Sequence, residues 1–423
     1  MSNSGIASKR RLGDCLSFIV DNRGKTPPLS EQGIELIEIN AIPGNRKSVD
    51  FDAVKKHVSE DTYNTWFRKG HPQVGDTLIS TVGAIGRVAF VGKQRGCIAQ
   101  NVIAMRPDVN LVDPGYLFYV LSSDAIQNRL NSLNIGVAQP SLKVPHLLNV
   151  ELEFPDLPTQ RKIAGILSAY DDLIENNLRR IKILEQMAQS LYREWFVHFR
   201  FPGHESVRFT ASELGKIPVG WKSTDLAAVC VKDKGIQTGP FGSQLHESDY
   251  SAEGVPVVMP KDLIGFRIRT DTIARIPEET ADKLFRHRMK LGDIVYGRRG
   301  DIGRRAFIMP HQVGWFCGTG CLRIRPDPDA VNGWYLFNFL GQDNVASLIA
   351  GRAQGVTMPN LNTGILSSVP ITLPPRSIQE HFSNLSFPFT QAREALQSQI
   401  HNLRHTRDLL LPKLLSETTG LGL

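Results

Sequence analysis

The sequence predicts an α+β protein in which two strand-rich globular domains alternate with two long helices. The helices are expected to pair as an antiparallel coiled coil, and an internal pseudo-two-fold repeat relates the two halves. Three observations predict this architecture. Segments of one half return in the other in constant order. Each globular stretch is punctuated by Gly and Pro around short apolar runs. Each half then ends in a long segment with heptad-spaced apolar residues.

The repeat is read directly. VGDTLISTVGAIGRVAFV (Val74 to Val91) returns as LGDIVYGRRGDIGRRAFIM (Leu291 to Met309), with Gly75 matched by Gly292, an offset of 292 − 75 = 217. MRPD (Met105 to Asp108) matches IRPD (Ile324 to Asp327), GYLFYVL (Gly115 to Leu121) matches GWYLFNFL (Gly333 to Leu340), and GVAQPSL (Gly136 to Leu142) matches GVTMPNL (Gly355 to Leu361). A period near half the chain is too long for a solenoid and indicates two similar domains. The expected boundaries are 1–154 for the first globular domain, 155–201 for the first long helix, 202–373 for the second domain and 374–423 for the second helix and tail.

In the first domain DTLIS, GRVAFV and NVIAMRP read as strands, and DIVYG, RRAFIM and CLRIRP are their counterparts in the second. After FPDLPTQ, no Gly or Pro occurs from Ile166 to Phe201. Leu167, Tyr170, Ile174, Ile181, Leu184, Ala188, Leu191 and Trp195 step by three and four, and Asn177 fills the missing slot; Asp171 is read as one of the charged residues between. Some 35 such residues make a rod of roughly 50 Å. The second helix places Leu385, Phe389, Leu396, Ile400, Leu403, Leu410 and Leu414 at comparable spacing, with Arg393 and Arg407 as polar departures. Pro412 is expected to end or kink it. The interface of the pair is assigned to Leu167, Tyr170, Ile174, Ile181, Leu184 and Leu191 facing Leu396, Ile400, Leu403 and Leu410. An antiparallel pair would hold the globular domains at opposite ends of a rod; the alternative is that each helix covers its own domain.

Charge and composition narrow the function. Lys plus Arg exceed Asp plus Glu by 49 − 42 = 7, which tilts toward a polyanionic partner, nucleic acid before membrane. Cys15, Cys97, Cys230, Cys317 and Cys321 form no zinc set and read as buried free thiols in a reducing cytosol. With neither a secretory leader nor a membrane-length apolar run, a soluble cytoplasmic protein is expected.

The DNA-binding candidates lie in the repeated loops. GAIGR (Gly83 to Arg87) and RRGDIGRR (Arg298 to Arg305) combine close glycines, which expose backbone N–H groups, with arginines suited to phosphates or guanine edges. They supply Arg87, Arg298, Arg299, Arg304 and Arg305. DNRGKTPP (Asp21 to Pro28) is paired with KDKGIQTGPFGSQ (Lys232 to Gln244), giving Arg23, Lys25 and Gln237. Arg352 is preferred over Gln139 and Gln354 near the third repeated loop.

Catalytic signals fail. FCGTG (Phe316 to Gly320) fits the F-x-G-x-G pattern of S-adenosylmethionine-binding methyltransferases, but it runs into another strand and no N-P-P-aromatic loop follows. GKT (Gly24 to Thr26) lacks the earlier glycine of a P-loop, and no H-E-x-x-H or G-x-S-x-G occurs. No metal or cofactor is expected in this chain.

Together, the paired GD…G-x-I-G-R cores, the helix starts (Pro155 with Gln160, Pro374 with Gln379) and the stretch from Gln160 to Phe199 resemble the specificity subunit of type I restriction-modification enzymes. The resemblance covers the chain from about Leu12 to Leu415. It implies two target-recognition domains reading the halves of a bipartite double-stranded DNA site, and a helical spacer that docks two methyltransferase (modification) subunits. Those subunits would bind S-adenosylmethionine and methylate adenine, and motor-nuclease (restriction) subunits would join them. The chain itself would be non-catalytic. Unlike loops in the two copies imply an asymmetric site. The alternative is a recognition adaptor of a methyltransferase-only or other phage-defence system without a restriction motor.

Overall fold

The computed structural model describes residues 8–44, 46–135, 140–212, 215–241, 244–299, 302–353 and 360–419, with side chains to Ser416. The chain forms two compact units, Met1–Lys182 with Glu394–Leu423, and Ile183–Arg393. Both long helices are therefore shared between units, whereas the sequence suggested divisions at the helix ends.

In the first unit, a four-stranded antiparallel sheet runs in the order Leu16–Val20, Val102–Pro107, Thr77–Ser80, Val88–Phe90. Its central strands, Val102–Pro107 and Thr77–Ser80, are buried almost throughout because both faces are covered there. Ile79, Ile103 and Met105 pack toward the helix Pro114–Ser122, while Leu78, Val102 and Ala104 pack beside Ile37 and Ile98. Those last two belong to a three-stranded sheet, His57–Val58, Ile34–Ile37 and Cys97–Ile98, mixed in direction. Helices Asp124–Ser132 and Val144–Leu148 follow, and Glu151–Phe154 returns to pair with Ser8–Arg11.

The second unit repeats each step. Its four-stranded sheet is Ile236–Thr238, Cys321–Ile324, Ile294–Gly297, Arg305–Phe307, and its mixed sheet is Ala274–Ile276, Val255–Val258, Phe316–Cys317. Helices Gly333–Phe339, Asp343–Arg352 and Thr363–Ser367 lead to the pairing of Lys222–Asp225 with Pro370–Leu373. Among the described residues, two hairpins are its own: Phe209–Ser212 with Gly215–Pro218, and Leu263–Ile264 with Arg267–Ile268. FCGTG is a short strand and a turn that runs into the strand Cys321–Ile324.

Polar details repeat too. Buried Asp76 holds Arg106 through two bonds of 2.9 Å, and buried Asp293 holds Arg325 through two of 2.7 Å. Gln160 accepts from Asp113 N–H at 2.9 Å and donates to Pro155 C=O at 2.8 Å; Gln379 does the same with Asn332 and Pro374 at 2.8 and 2.7 Å. Each glutamine thus ties its long helix to the preceding domain, the physical reason for the duplicated Pro…Gln helix starts. Gly33 and Gly254, both at positive φ, each press on a neighbouring strand; a Cβ would lie 2.2 Å from Val58 O or from Ile276 O.

The first long helix spans Leu157–Tyr192 and passes into a π turn at Arg193–Val197. The second spans Arg376–Thr419. It does not end at Pro412: a single proline removes one backbone bond, while Leu410, Leu411, Leu414 and Leu415 hold the turn against the core containing Leu167. Within each unit the helix segments run antiparallel. In the first, Asp171 meets Arg407 and Asn177 meets Gln399; in the second, Glu185 meets Arg393 and Trp195 meets His381. Leu167, Ile174, Ile181, Leu396 and Ile400 are buried as expected, while Tyr170, Leu184, Leu191, Leu403 and Leu410 are half-buried. Two seam positions need correction. Asp171, 1 % exposed, takes the place assigned to Tyr170, and Ser386, 0 % exposed, takes that of Leu385, which is 43 % exposed. Each buried polar group has a partner: Tyr119 Oη donates to Asp171 at 2.6 Å, and Trp334 Nε1 donates to Ser386 at 2.9 Å.

All five cysteines are buried free thiols, and burial pushes those of Cys97, Cys230 and Cys317 up to about 12. No described helix is long and apolar enough to cross a membrane.

Candidate nucleic-acid interface

In the first domain, the register pairs Val20 with Ala104 and Ser80 with Val102, so the loops following Val20 and Ser80 leave one sheet end together with the loop entering Val102. They are bonded to one another. Gln100 Nε2 donates to Thr26 Oγ1 at 2.8 Å, Thr81 N–H to Asn101 C=O at 2.8 Å, and Gly83 N–H to Pro140 C=O at 2.9 Å. Asn22 joins the turn at Phe67–Gly70, accepting from Lys69 N–H and donating to Gly70 C=O, both at 2.9 Å.

Lys25 and Arg87 are exposed on this loop end. Arg23 is there too, but Asp21 clamps it through Nε and Nη2 at 2.8 and 2.7 Å. Its hydrogen bond holds the Asp21 carboxyl below its ordinary range, so the pair presents little net charge. Exposed Arg68 and Lys69 are joined to this loop by the Asn22 bridge and were missed by sequence reasoning. An Arg-Lys-Gly turn was the signal.

In the second domain the equivalent end begins at Gly239. Gly239 N–H donates to Cys321 C=O at 3.0 Å, Thr319 Oγ1 to Pro240 C=O at 3.0 Å, and Arg298 N–H to Gly320 C=O at 2.9 Å. The structural counterpart of DNRGKTPP is therefore the stretch after Thr238, not Lys232 onward. Gln237 lies within a strand, where its Oε1 accepts from Arg323 Nη2 at 3.0 Å.

The four arginines of RRGDIGRR divide. Arg299 and Arg304 are exposed. Arg298, 9 % exposed, donates through Nε to Asn360 Oδ1 at 3.2 Å and Leu361 C=O at 3.1 Å. Arg305, 6 % exposed, donates to Phe337 C=O at 3.0 Å and Gly303 C=O at 3.3 Å. Its guanidinium lies between Phe266 and Phe337, 4.5 and 4.9 Å from the ring centroids. Burial lowers it to about 10. As placed, Arg298 and Arg305 organise the loop from within, and Arg299 and Arg304 are its outward charges. Arg352 is exposed, its Nη1 donating to Ser368 C=O at 3.0 Å. Gln139 and Gln354 lie outside the described residues.

The model of the type I restriction modification DNA specificity domain matches residues 58–186 and 251–402, well over half of the chain, once in each half. The chain belongs to that family. Among its relatives, the MjaIX type I restriction enzyme specificity subunit of Methanocaldococcus jannaschii is 28% identical over 346 residues, 80% of this chain and 76% of that one. The putative MjaX specificity subunit of the same organism is 25% identical over 380 residues, covering 88% and 84%. In structure, this family member resembles the S subunit of a type I restriction-modification system from M. genitalium, with a TM-score of 0.63 at 16% identity and coverage of 98% and 97%. That likeness concerns the fold: duplicated mixed domains with long helices.

Proposed function

We propose that this chain is the non-catalytic DNA-reading subunit of a type I restriction-modification complex in the cytoplasm. Each domain reads one half of a bipartite, asymmetric site in double-stranded DNA, and the paired helices dock two adenine methyltransferase subunits, with motor-nuclease subunits joining to restrict. S-adenosylmethionine belongs to the methyltransferase partners. The observation that carries this reading is the repetition of one loop-bearing sheet end in both units, each with outward basic groups: Lys25, Arg87, Arg68 and Lys69 in one, Arg299 and Arg304 in the other. Exposed Lys and Arg release counterions from DNA phosphates, while the glycine turns let backbone approach. Unlike side chains on equivalent ends support unlike half-sites. Arg352, tied to Ser368, supports phosphate contact rather than base reading.

The test is an adenine-methylation map of the host with the gene present and deleted. Loss of one bipartite motif on deletion establishes the role and gives both half-sites. An unchanged map, with the chain and its partner methyltransferase demonstrably expressed, overturns it.

A further inference from the structure

Two phenylalanines are exposed at the loop end of the second domain, Phe285 at 72% and Phe241 at 58%. Single exposed apolar side chains are ordinary, but these two are brought together by the same packing. Phe241 opens a turn, its C=O accepting from Gln244 N–H at 2.8 Å. That turn leads to Leu245, which is buried in a cluster with Val257, Ala281 and Phe316. Leu284, the chain neighbour of Phe285, packs against the same cluster.

The backbone fixes where Phe285 lies. Met289 N–H donates to Trp315 C=O at 2.8 Å, and Arg288 bridges Phe316 in the antiparallel sense. Going back from Arg288 to Phe285 therefore runs beside Phe316 toward Gly318–Gly320, at the loop end. The turn Phe285–His287 is held there from beneath. Buried Arg323 donates through Nη1 to Arg286 C=O at 2.7 Å, and through Nη2 to Gln237 Oε1 at 3.0 Å. Gln237 lies in the strand that enters this end, and Phe241 follows two residues beyond Gly239. Arg286, Arg299 and Arg304 are exposed at the same end.

The first domain differs at both places. From Val20 to Ser30 its loop takes 30 − 20 = 10 steps, against 251 − 237 = 14 from Gln237 to Ser251, and it contains no aromatic residue. Phe67, placed two residues past its short helix as Phe285 is past the equivalent one, is buried, and Trp66 is partly exposed instead.

We propose that Phe241 and Phe285 read thymine in the second domain's half-site, each burying its ring against a 5-methyl group in the major groove. The inference rests on the DNA-reading function proposed above. The thymine methyl is the apolar group that the major groove offers among its donors and acceptors. Arginines beside the rings suit phosphates, which leaves the uncharged rings to meet base edges. Both rings stand on turns already bound to the domain, so little ordering is required on contact.

The test uses the chain with its partner methyltransferase and a fluorescent duplex carrying the motif obtained from the methylation map. Deoxyuridine, which lacks only the methyl group, replaces thymine in one half-site at a time. One half-site should lose about fourfold in affinity for each methyl contacted. Phe241→Ala and Phe285→Ala should each weaken binding of the thymine duplex on the order of tenfold. The double variant should bind thymine and deoxyuridine duplexes alike, with an unchanged Tm because both rings are at the surface. Its salt dependence should match wild type, whereas Arg299→Ala should lower the slope by about one. The proposal is overturned if neither half-site responds to deoxyuridine, or if the response survives in the double variant. A wild-type complex that does not bind the mapped duplex would instead overturn the DNA-reading function itself.

Discussion

The two units fasten their long-helix segments with different chemistry on the same scaffold. In the first, the fastening is ionic. Arg407 Nη1 lies 2.5 Å from Asp171, Arg46 pairs with Glu175 at 2.9 Å, Lys47 donates to Ser168 at 2.9 Å, and Lys182 reaches Asp52 at 2.8 Å. In the second it is largely aromatic. Tyr192, Trp195 and Phe196 pack around Phe382, with Tyr335 4.8 Å from Phe196 between ring centroids, and Arg393–Glu185 is a lesser polar contact. A duplicated topology therefore constrains strand order and helix direction, not the force that joins domain to helix. Buried charge pairs specify register at a desolvation cost, whereas aromatic clusters supply area and tolerate small shifts.

The largest expected effect removes the aromatic fastening. Phe382→Ala empties a site of 0 % exposure and should cost about 4 kcal/mol, seen as a lowered denaturation midpoint. Hydrogen exchange should localise the loss to Ile183–Arg393. Equal loosening of both units would break the comparison.

Next comes the ionic fastening. Arg407→Met leaves Asp171 buried without its cation and should cost about 3 kcal/mol, this time in the first unit. The triple change Arg407→Leu, Asp171→Leu, Tyr119→Phe removes the Tyr119 hydroxyl that Asp171 would otherwise orphan, and should recover most of that stability. Recovery would sharpen the view that the pair sets register rather than strength. A triple variant as weak as Arg407→Met would contradict it.

These residues also show what was legible in the sequence. Helix length, helix direction and the repeat were readable, because heptad spacing and duplicated Gly-Asp cores survive in one dimension. Asp171 and Ser386 were not, since an apolar template passes over a buried polar residue whose partner lies on another element. The reading took Tyr170 and Leu385 instead, their more apolar neighbours. Arg305 illustrates the same limit at the loop end. In its strand it shares a face with Phe307, toward the core, while Ala306 faces the other sheet. Alternation alone would have turned Arg305 inward, but the cluster of arginines suggested a surface. Lys69 was hidden because its link to the Lys25 loop runs through Asn22, 47 residues away.

A smaller, pH-dependent difference is expected from His287. It is 4 % exposed, and burial with the nearby charges of Arg286 and Arg323 lowers it from 6.5 to about 4. The unfolded chain binds this proton at higher pH than the folded one, so stability is present above about 6.5 and falls as pH drops toward 4. The loss is on the order of 3 kcal/mol across that window. His287→Phe should flatten the acid slope of urea midpoints for the second unit; an unchanged slope would assign acid sensitivity elsewhere.

The smallest expected effect separates exposed from buried ion pairs in the first unit. Lys182 and Asp52 have side chains 56% and 74% exposed, against 13% and 2% for Arg407 and Asp171. Lys182→Ala should therefore cost no more than about 0.5 kcal/mol at low salt and nothing measurable near 1 M NaCl, where the screening length falls to about 3 Å. The Arg407→Met penalty should survive the same salt, because its cost lies in stranding a carboxylate away from water rather than in long-range attraction. If urea midpoints show both penalties fading together, Asp171 is better hydrated than its burial implies. The seam of the first unit would then be held by Leu167, Ile174 and Ile400, with buried Asn177, donating to Gln399, as its remaining polar pin.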